Sequence, residues 1–292
     1  LVASGWQVRA LVRNAARAGA LRDLGVELVP GDLSDSSSLQ PFVSDTHAVV
    51  HCAGVVRGIT KQDFDRVNAS GVERLAMAAN RLPAPPRFVS LSSLAAREPQ
   101  LSPYAASKKA GEEALASTAS QMPWLALRPP AVYGPGDREM LPLLRWLMRG
   151  LAPVLGAPDA RFSLLYVDDL VAAIETCLAT KECPRGIFEL HDGHPGGYSW
   201  DDIVSLAAAL RRKRVVAVRF PRALLRTLTH LGVAWARLSH RPPMLTPGKL
   251  RELTFPDWVC DNRAFSEASG WRPRVQFQEG LRRTVVQSAG IH

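Results

Sequence analysis

The chain has 292 residues, 47% of them apolar and 22% charged, enough for one large globular unit or a main domain with a smaller one appended, and this balance excludes a disordered polymer. Its longer uncharged stretches, such as 227–236, fall well short of the roughly 20 residues a membrane-spanning helix needs, and no secretory leader is legible at its start. The formal charge of +9 suits an anionic ligand, a nucleic acid or an anionic membrane surface, and with no recognition module legible a nucleic-acid partner is not expected.

Short β-branched runs alternate with helical patterns from the first residues onward. Strands are predicted over 7–12, 26–29 and 48–52, with a helix over 15–24 and a capped helix start over 34–39. A longer helix over 63–80 is stopped by Pro83, Pro85 and Pro86. The strand over 87–91 is apolar except at its ends, as expected where both faces are covered. A helix over 104–116 and a strand over 124–128 follow. This alternation predicts an α/β fold, a doubly wound parallel sheet flanked by helices. After Pro129 the pattern loosens into Pro- and Gly-rich segments, the entry to a smaller, mostly helical subdomain. The expected division gives 1–132, with 164–192 returning to it, to dinucleotide binding, and 133–163 with 193–292 to substrate. Four scattered cysteines, Cys52, Cys177, Cys183 and Cys260, form no CxxC pair, so no metal site or disulfide framework is expected, and a reducing, cytoplasmic compartment is the simplest reading.

A dinucleotide-binding fold begins with a strand, a Gly-rich turn and a helix whose N-terminus holds the pyrophosphate. Here Leu1-Val2-Ala3-Ser4-Gly5 reads as a helix C-terminus running into the second strand. The sequence is therefore expected to be an N-terminally incomplete copy, without its first strand and on the order of twenty residues short.

The strongest chemical signal is Tyr104-Ala105-Ala106-Ser107-Lys108, preceded by Ser92-Ser93 at the end of an apolar strand. Spacing of four on a helix puts the phenol and the ammonium on one face. A phenol with a pKa near 10 is a poor base at neutral pH, and a neighbouring cation favours its phenolate, so Lys108 is expected to activate Tyr104 as the proton carrier. Ser93, at a strand's C-terminal end, is placed to hydrogen-bond the substrate oxygen. Such a site moves a proton while a nicotinamide moves a hydride.

At this point the chain resembles the extended short-chain dehydrogenase/reductases, which include the NAD-dependent epimerase/dehydratase and 3β-hydroxysteroid dehydrogenase-like groups. Gly31-Asp32-Leu33 is similar to the family's adenine-contacting turn, His51-Cys52-Ala53-Gly54 to its ribose and phosphate segment, and Val67-Asn68-Ala69-Ser70-Gly71 to its VNxxG helix. Arg128-Pro129-Pro130-Ala131-Val132-Tyr133-Gly134 is similar to the turn around the nicotinamide, and Val167-Asp168-Asp169-Leu170 to the segment that returns the chain to the first domain. The resemblance implies Ser93, Tyr104, Lys108 and Asn68 as the catalytic set. It also implies a cofactor shell of Arg13, Asp32, Leu33, Cys52, Ala53, Gly54, Tyr104, Lys108, Pro129, Ala131 and Val132. Where the second strand ends in an acidic residue a ribose 2′-hydroxyl is bound, whereas arginine accommodates a 2′-phosphate. Val12 and Arg13 stand there, which favours NADP and leaves NAD as the alternative.

Family members that act on nucleotide sugars carry an arginine seven residues before the second Asp of the VDD motif. This chain has Phe162 there, with Arg161 one place earlier, so an alcohol–ketone oxidoreductase on a small hydrophobic or mixed substrate is expected. The alternatives are a nucleotide-sugar epimerase or dehydratase and a non-catalytic NAD(P)-binding protein. Leu224, Leu228, Leu231, Trp235 and Leu238 form an apolar stripe with Arg222, Arg226, His230 and Arg237 off it, read as a helix packed on its own subdomain or as a lid or peripheral membrane contact. Arg211-Arg212-Lys213-Arg214 reads as a solvated helix end, Gly270-Trp271-Arg272-Pro273 resembles a closing turn, and homodimerisation is what the family suggests.

Overall fold

The computed structural model describes residues 1–180, 184–221, 223–227, 229, 232–233 and 245–288. Leu1 to Gly5 forms a single 3-10 turn over Val2–Ser4 in place of the expected helix end. Strand β1 (Arg9–Val12) then pairs in parallel with β2 (Glu27–Pro30). The helix expected between them divides into a 3-10 turn, Ala15–Arg17, and α1 (Gly19–Asp23), and neither buries a residue. With no packed face to reward it, a longer helix has little to hold it together.

Asp35 caps α2 (Ser36–Val43) through the Ser37 N–H, and α2 buries Leu39 and Val43 before the chain enters β3 (Ala48–His51). Thr60 and Asp63 form a reciprocal capping box on α3 (Lys61–Asn68). The single helix expected over 63–80 is in fact two, because the backbone breaks at Ala69 before α4 (Ser70–Asn80). The next long helix explains the break: a Cβ on Gly111 would stand 2.2 Å from the Asn68 carbonyl oxygen, so that turn is pressed directly against a neighbouring backbone. Strand β4 (Arg87–Leu91), α5 (Pro103–Thr118) and β5 (Trp124–Arg128) follow, α5 being opened by a Ser102 cap and Pro103.

The rest of the chain comprises β6 (Ala131–Tyr133), α6 (Leu141–Arg149), β7 (Leu151–Val154), β8 (Arg161–Phe162), β9 (Leu164–Tyr166), α7 (Val167–Ala179), β10 (Gly186–Glu189), β11 (Tyr198–Ser199), α8 (Trp200–Arg211), β12 (Val216–Arg219) and β13 (Asp257–Trp258), with helices at Pro247–Leu253, Arg263–Ser269 and Phe277–Ser288. No helix among the described residues is long and apolar enough to cross a membrane.

Four strands form the central parallel sheet in the order β10-β5-β4-β3, while β1 and β2 form a separate pair. Among the described residues no strand joins β1 to β3. Alternate side chains of the central strands enter opposite cores. Phe88 and Ala126 pack with Leu39, Val43, Leu75 and Leu115 of α2, α4 and α5. Val89, Leu125 and Leu127 pack with Leu170, Ala173 and Ile174 of α7. The sheet is thus doubly wound.

A third core, built from Tyr133, Leu144, Leu147, Tyr166, Tyr198, Ile203 and Phe277, lies among the later elements, where the expected helices are joined by two small sheets, β12-β7 and β11-β8-β13. Asp169, 3% exposed, ties this region to the start of α7: its carboxylate accepts the Arg274 and Val275 N–H groups, and the Trp271 indole donates to its carbonyl at 3.2 Å. Arg211 turns back onto the carbonyls of Met148 and Arg214, so this arginine of the basic run is structural. Of the apolar stripe and the basic residues off it, Leu224 and Arg226 are described and exposed; Leu228, Leu231, Trp235, Leu238, Arg222, His230 and Arg237, like Cys183, lie outside the described residues.

Candidate active site

The C-terminal ends of β3 and β4 and the first two turns of α5 bring the expected catalytic side chains together. Ser93 leaves β4 and caps the short turn Leu94–Arg97 by accepting the Ala95 N–H at 3.2 Å. Its hydroxyl also hydrogen-bonds the phenol of Tyr104. Tyr104 is half-buried and meets the ring of Phe64 edge-on, with centroids 6.3 Å apart. Burial pushes its phenol up to about 12; the Ser93 hydrogen bond pulls the other way and the Glu252 carboxylate adds to the rise.

Lys108, one turn further along α5, is 9% exposed and donates from Nζ to the Leu91 carbonyl at 2.9 Å. Burial lowers its ammonium to about 8, against the pull of Glu112. Desolvation thus raises the Tyr104 phenol, while one of the three N–H donors of Lys108 is taken by the Leu91 carbonyl at the end of β4.

Asn68 is 1% exposed and stitches this corner together. Its Nδ2 donates to the Val55 carbonyl and to Ser107 Oγ, each at 2.9 Å, while its Oδ1 accepts the Val55 N–H at 2.8 Å. Ser107 donates in turn to the Tyr104 carbonyl at 2.7 Å. The loop after β3 is thereby locked to the turn of α5 that carries Tyr104. Gly54 lies in that loop, and a Cβ there would stand 3.2 Å from Lys108 Nζ, so the backbone approaches the ammonium as closely as a side-chain-free residue allows.

The other expected cofactor residues fall into two groups. Arg13, 79% exposed at the end of β1, brings Nε within 4.0 Å of Asp32 Oδ2 at the end of β2. The Asp32 carboxyl lies below the usual carboxylate range, chiefly because the Ser34 N–H and hydroxyl both donate to it at 2.7 Å. The Leu33 carbonyl accepts from Arg74 Nε at 2.6 Å. Cys52, Ala53 and Gly54 are exposed beyond β3. Pro129 is buried, with its carbonyl taken by the Leu94 N–H at 2.8 Å; Ala131 is exposed, and Val132 packs against the α7-side core. Exposed backbone beside a buried ammonium, with an exposed guanidinium only loosely paired to Asp32 at the other end, fits an elongated anionic dinucleotide. Arg13, Asp32, Leu33, residues 52–54 and Lys108 are the groups that could hold one.

Two carboxylates at the site carry no role in the sequence reading. Glu112, 2% exposed, accepts two bonds from Arg128 at 2.7 and 2.6 Å and one from Ser92 Oγ at 2.6 Å, joining α5 to the ends of β4 and β5. Its place four residues after Lys108 was the available signal. Glu252 bonds the Ser102 hydroxyl from 150 residues away, and nothing local announces it.

Ser93 beyond β4 and Tyr104 and Lys108 on α5 thus stand beside a surface that could hold a dinucleotide. Residues 1–189 match the model of the NAD dependent epimerase/dehydratase family, and the chain belongs to that family. It is 37% identical over 268 residues to the ceramide reductase of Caulobacter vibrioides, covering 91% of this chain and 82% of that protein. It is 26% identical over 321 residues to the 2-alkyl-3-oxoalkanoate reductase of Stenotrophomonas maltophilia, covering 99% and 94%. In fold it is similar to the UDP-glucose 4-epimerase of Thermotoga maritima, with a TM-score of 0.74 at 18% identity, covering 99% of this chain and 93% of that one. The chain is an NAD(P)-dependent enzyme of the oxidoreductase or epimerase/dehydratase kind.

Proposed function

We propose that this protein is an NADP-preferring reductase that converts the ketone of a lipid-like, largely hydrophobic substrate to an alcohol, with Tyr104 as the proton donor. The observation that carries this reading is the placement of the half-buried Tyr104 phenol beside the Ser93 hydroxyl with Lys108 one turn further along α5, two hydroxyl donors for a carbonyl oxygen with a cation behind them. The nicotinamide, when bound, supplies the hydride to the carbonyl carbon. Ser93 and Tyr104 hold the carbonyl oxygen between two hydrogen-bond donors. As the C=O bond becomes C–O–H, the phenol proton passes to that oxygen, and the resulting phenolate is stabilised by the nearby ammonium of Lys108. Asn68 keeps Ser107 and the loop after β3 in register with that turn.

The division of labour follows the same reading, with 1–132 and 164–192 serving the dinucleotide and 133–163 and 193–292 the substrate. The likeness to a ceramide reductase and to a 2-alkyl-3-oxoalkanoate reductase supports an aliphatic ketone. Arg161 also favours it over a sugar nucleotide: its guanidinium is committed to the carbonyls of Gly196 and Gly197 at 2.6 and 2.8 Å, leaving it poorly placed to grip a diphosphate. Arg13 supports NADP, because its exposed guanidinium can meet a 2′-phosphate.

The test is oxidation of NADPH and of NADH against long-chain ketones and nucleotide sugars, with Tyr104→Phe alongside. The reading expects net NADPH oxidation with the ketones and a loss of about 10²- to 10⁴-fold in kcat for the variant. Sugar conversion without net oxidation would assign an epimerase instead, and binding without Tyr104-dependent turnover a non-catalytic role. Arg13→Ala is expected to raise KM for NADPH about tenfold while leaving KM for NADH nearly unchanged, the size of one charge-assisted contact.

A further inference from the structure

The small sheet β12-β7 carries a surface that the reduction just described does not use. Its strands run parallel, with Leu151 beside Val216, Ala152 beside Ala217, Pro153 beside Val218 and Val154 beside Arg219. Residues two apart on a strand share a face. Ala152 and Val154 are buried, and Ala152 enters the third core together with Val215, which marks the inner face. The outer face is therefore Leu151, Pro153, Val216 and Val218, apolar at every position. Val216 is 49% exposed and Val218 37%, Leu151 is exposed with them, and the chain runs on into exposed Phe220 and Leu224. Single exposed apolar residues need no explanation, but a sheet face apolar throughout is a surface suited to an apolar partner.

The charge around this face says what that partner is. Arg211 ties the ends of α6 and α8 together, its Nε donating to the Met148 carbonyl at 2.8 Å and its Nη1 to the Arg214 carbonyl at 2.6 Å. Arg149 and the run Arg212-Lys213-Arg214, all exposed, thus gather at the end of the sheet where both strands begin. Exposed Arg219 closes β12 at the other end. No acidic residue occurs over 140–158 or 203–251, the stretches that supply the sheet and its basic rim, although the chain holds 27 elsewhere. A nucleic acid would use the cations and leave the apolar face without a partner. A second copy docked about a twofold axis would set the same cations against one another. An anionic bilayer satisfies both, its acyl boundary taking the apolar side chains and its headgroups the cations.

We infer that the outer face of β7 and β12 seats this protein on an anionic lipid surface, with Leu151, Val216 and Val218 entering the headgroup boundary and Arg149 and the Arg212–Arg214 run pairing with lipid phosphates. The sheet lies in the part of the chain proposed above to serve the substrate, and a lipid-like ketone resides in such a surface. The binding itself does not depend on that reading and is measured without turnover.

The experiment is co-sedimentation with vesicles of phosphatidylcholine alone and of equal parts phosphatidylcholine and phosphatidylglycerol. It compares the wild type with a variant carrying Val216→Asp and Val218→Asp and with one carrying Arg212→Gln, Lys213→Gln and Arg214→Gln. The wild type is expected to sediment with the mixed vesicles and to stay in solution with phosphatidylcholine alone. Loss of the three cations is expected to weaken binding about a hundredfold, and the two aspartates at least about tenfold. Should the aspartate variant fail to fold, Val216→Thr with Val218→Thr keeps the β-branched shape and is expected to weaken binding several-fold. Wild-type protein left in solution by the mixed vesicles, or equal binding to both vesicle types, overturns the inference. So does a folded sheet-face variant that binds as tightly as the wild type. A dimer that the aspartates split in the absence of vesicles, with no vesicle binding, would make the face an interface between copies. Retention of single-stranded RNA in place of vesicles would give the cations to nucleic acid, and either result overturns it as well.

Discussion

Lys108 reaches the Leu91 carbonyl from a turn of α5 that Glu112 anchors, and Glu112 is held in turn by Arg128 and Ser92. A buried pair of this kind is costly to break because the surviving charge is left without its partner. Glu112→Gln is expected to lower unfolding stability by about 3 kcal/mol in urea titration, with part of the loss recovered when Arg128→Met is added. His51 shows the same physics without a partner. It is 3% exposed, its Nε2 makes no hydrogen bond, and burial lowers its pKa to about 4. The folded pKa lies below the unfolded value near 6.5, so the unfolded chain takes the proton first as pH falls. The contribution is whole above pH 6.5 and is lost as pH drops toward 4. Stability is expected to fall by about 2 kcal/mol between pH 7 and pH 5, and His51→Phe to remove that part of the pH dependence.

At the scale of elements, the decisive contact is backbone against backbone, where Gly111 of α5 rests on the Asn68 carbonyl at the break between α3 and α4. Gly111→Ala would force α5 away from that turn, and about 2 kcal/mol of destabilisation is expected from the overpacking. The same shift would strain the Asn68–Ser107 bond, so kcat is expected to fall in the folded fraction as well, which steady-state assay beside thermal melting would read. Sequence reading found β4 and β5 to their end residues because both are apolar runs covered on two faces. It joined α3 to α4 because hydrophobic periodicity does not register a carbonyl pressed by a helix more than forty residues downstream.

Across the whole molecule, burial is uneven. The central strands β4 and β5 are buried between two helical layers, whereas β1 is half-buried throughout and, among the described residues, pairs with β2 alone. Amides of β1 and β2 are therefore expected to exchange with deuterium at least about tenfold faster than those of β4 and β5, as hydrogen-exchange mass spectrometry of matched peptides would show. The sequence by itself determined the doubly wound parallel sheet and singled out Ser93, Tyr104 and Lys108 as candidates, because hydrophobic period and short-range spacing are local properties of the chain. Only the tertiary structure decided that burial raises the Tyr104 phenol, that Glu112 pairs with Arg128 one turn beyond Lys108, and that Glu252 arrives at the cap of α5. Desolvation and charge pairing depend on which distant residues fold into contact, and no local pattern records that.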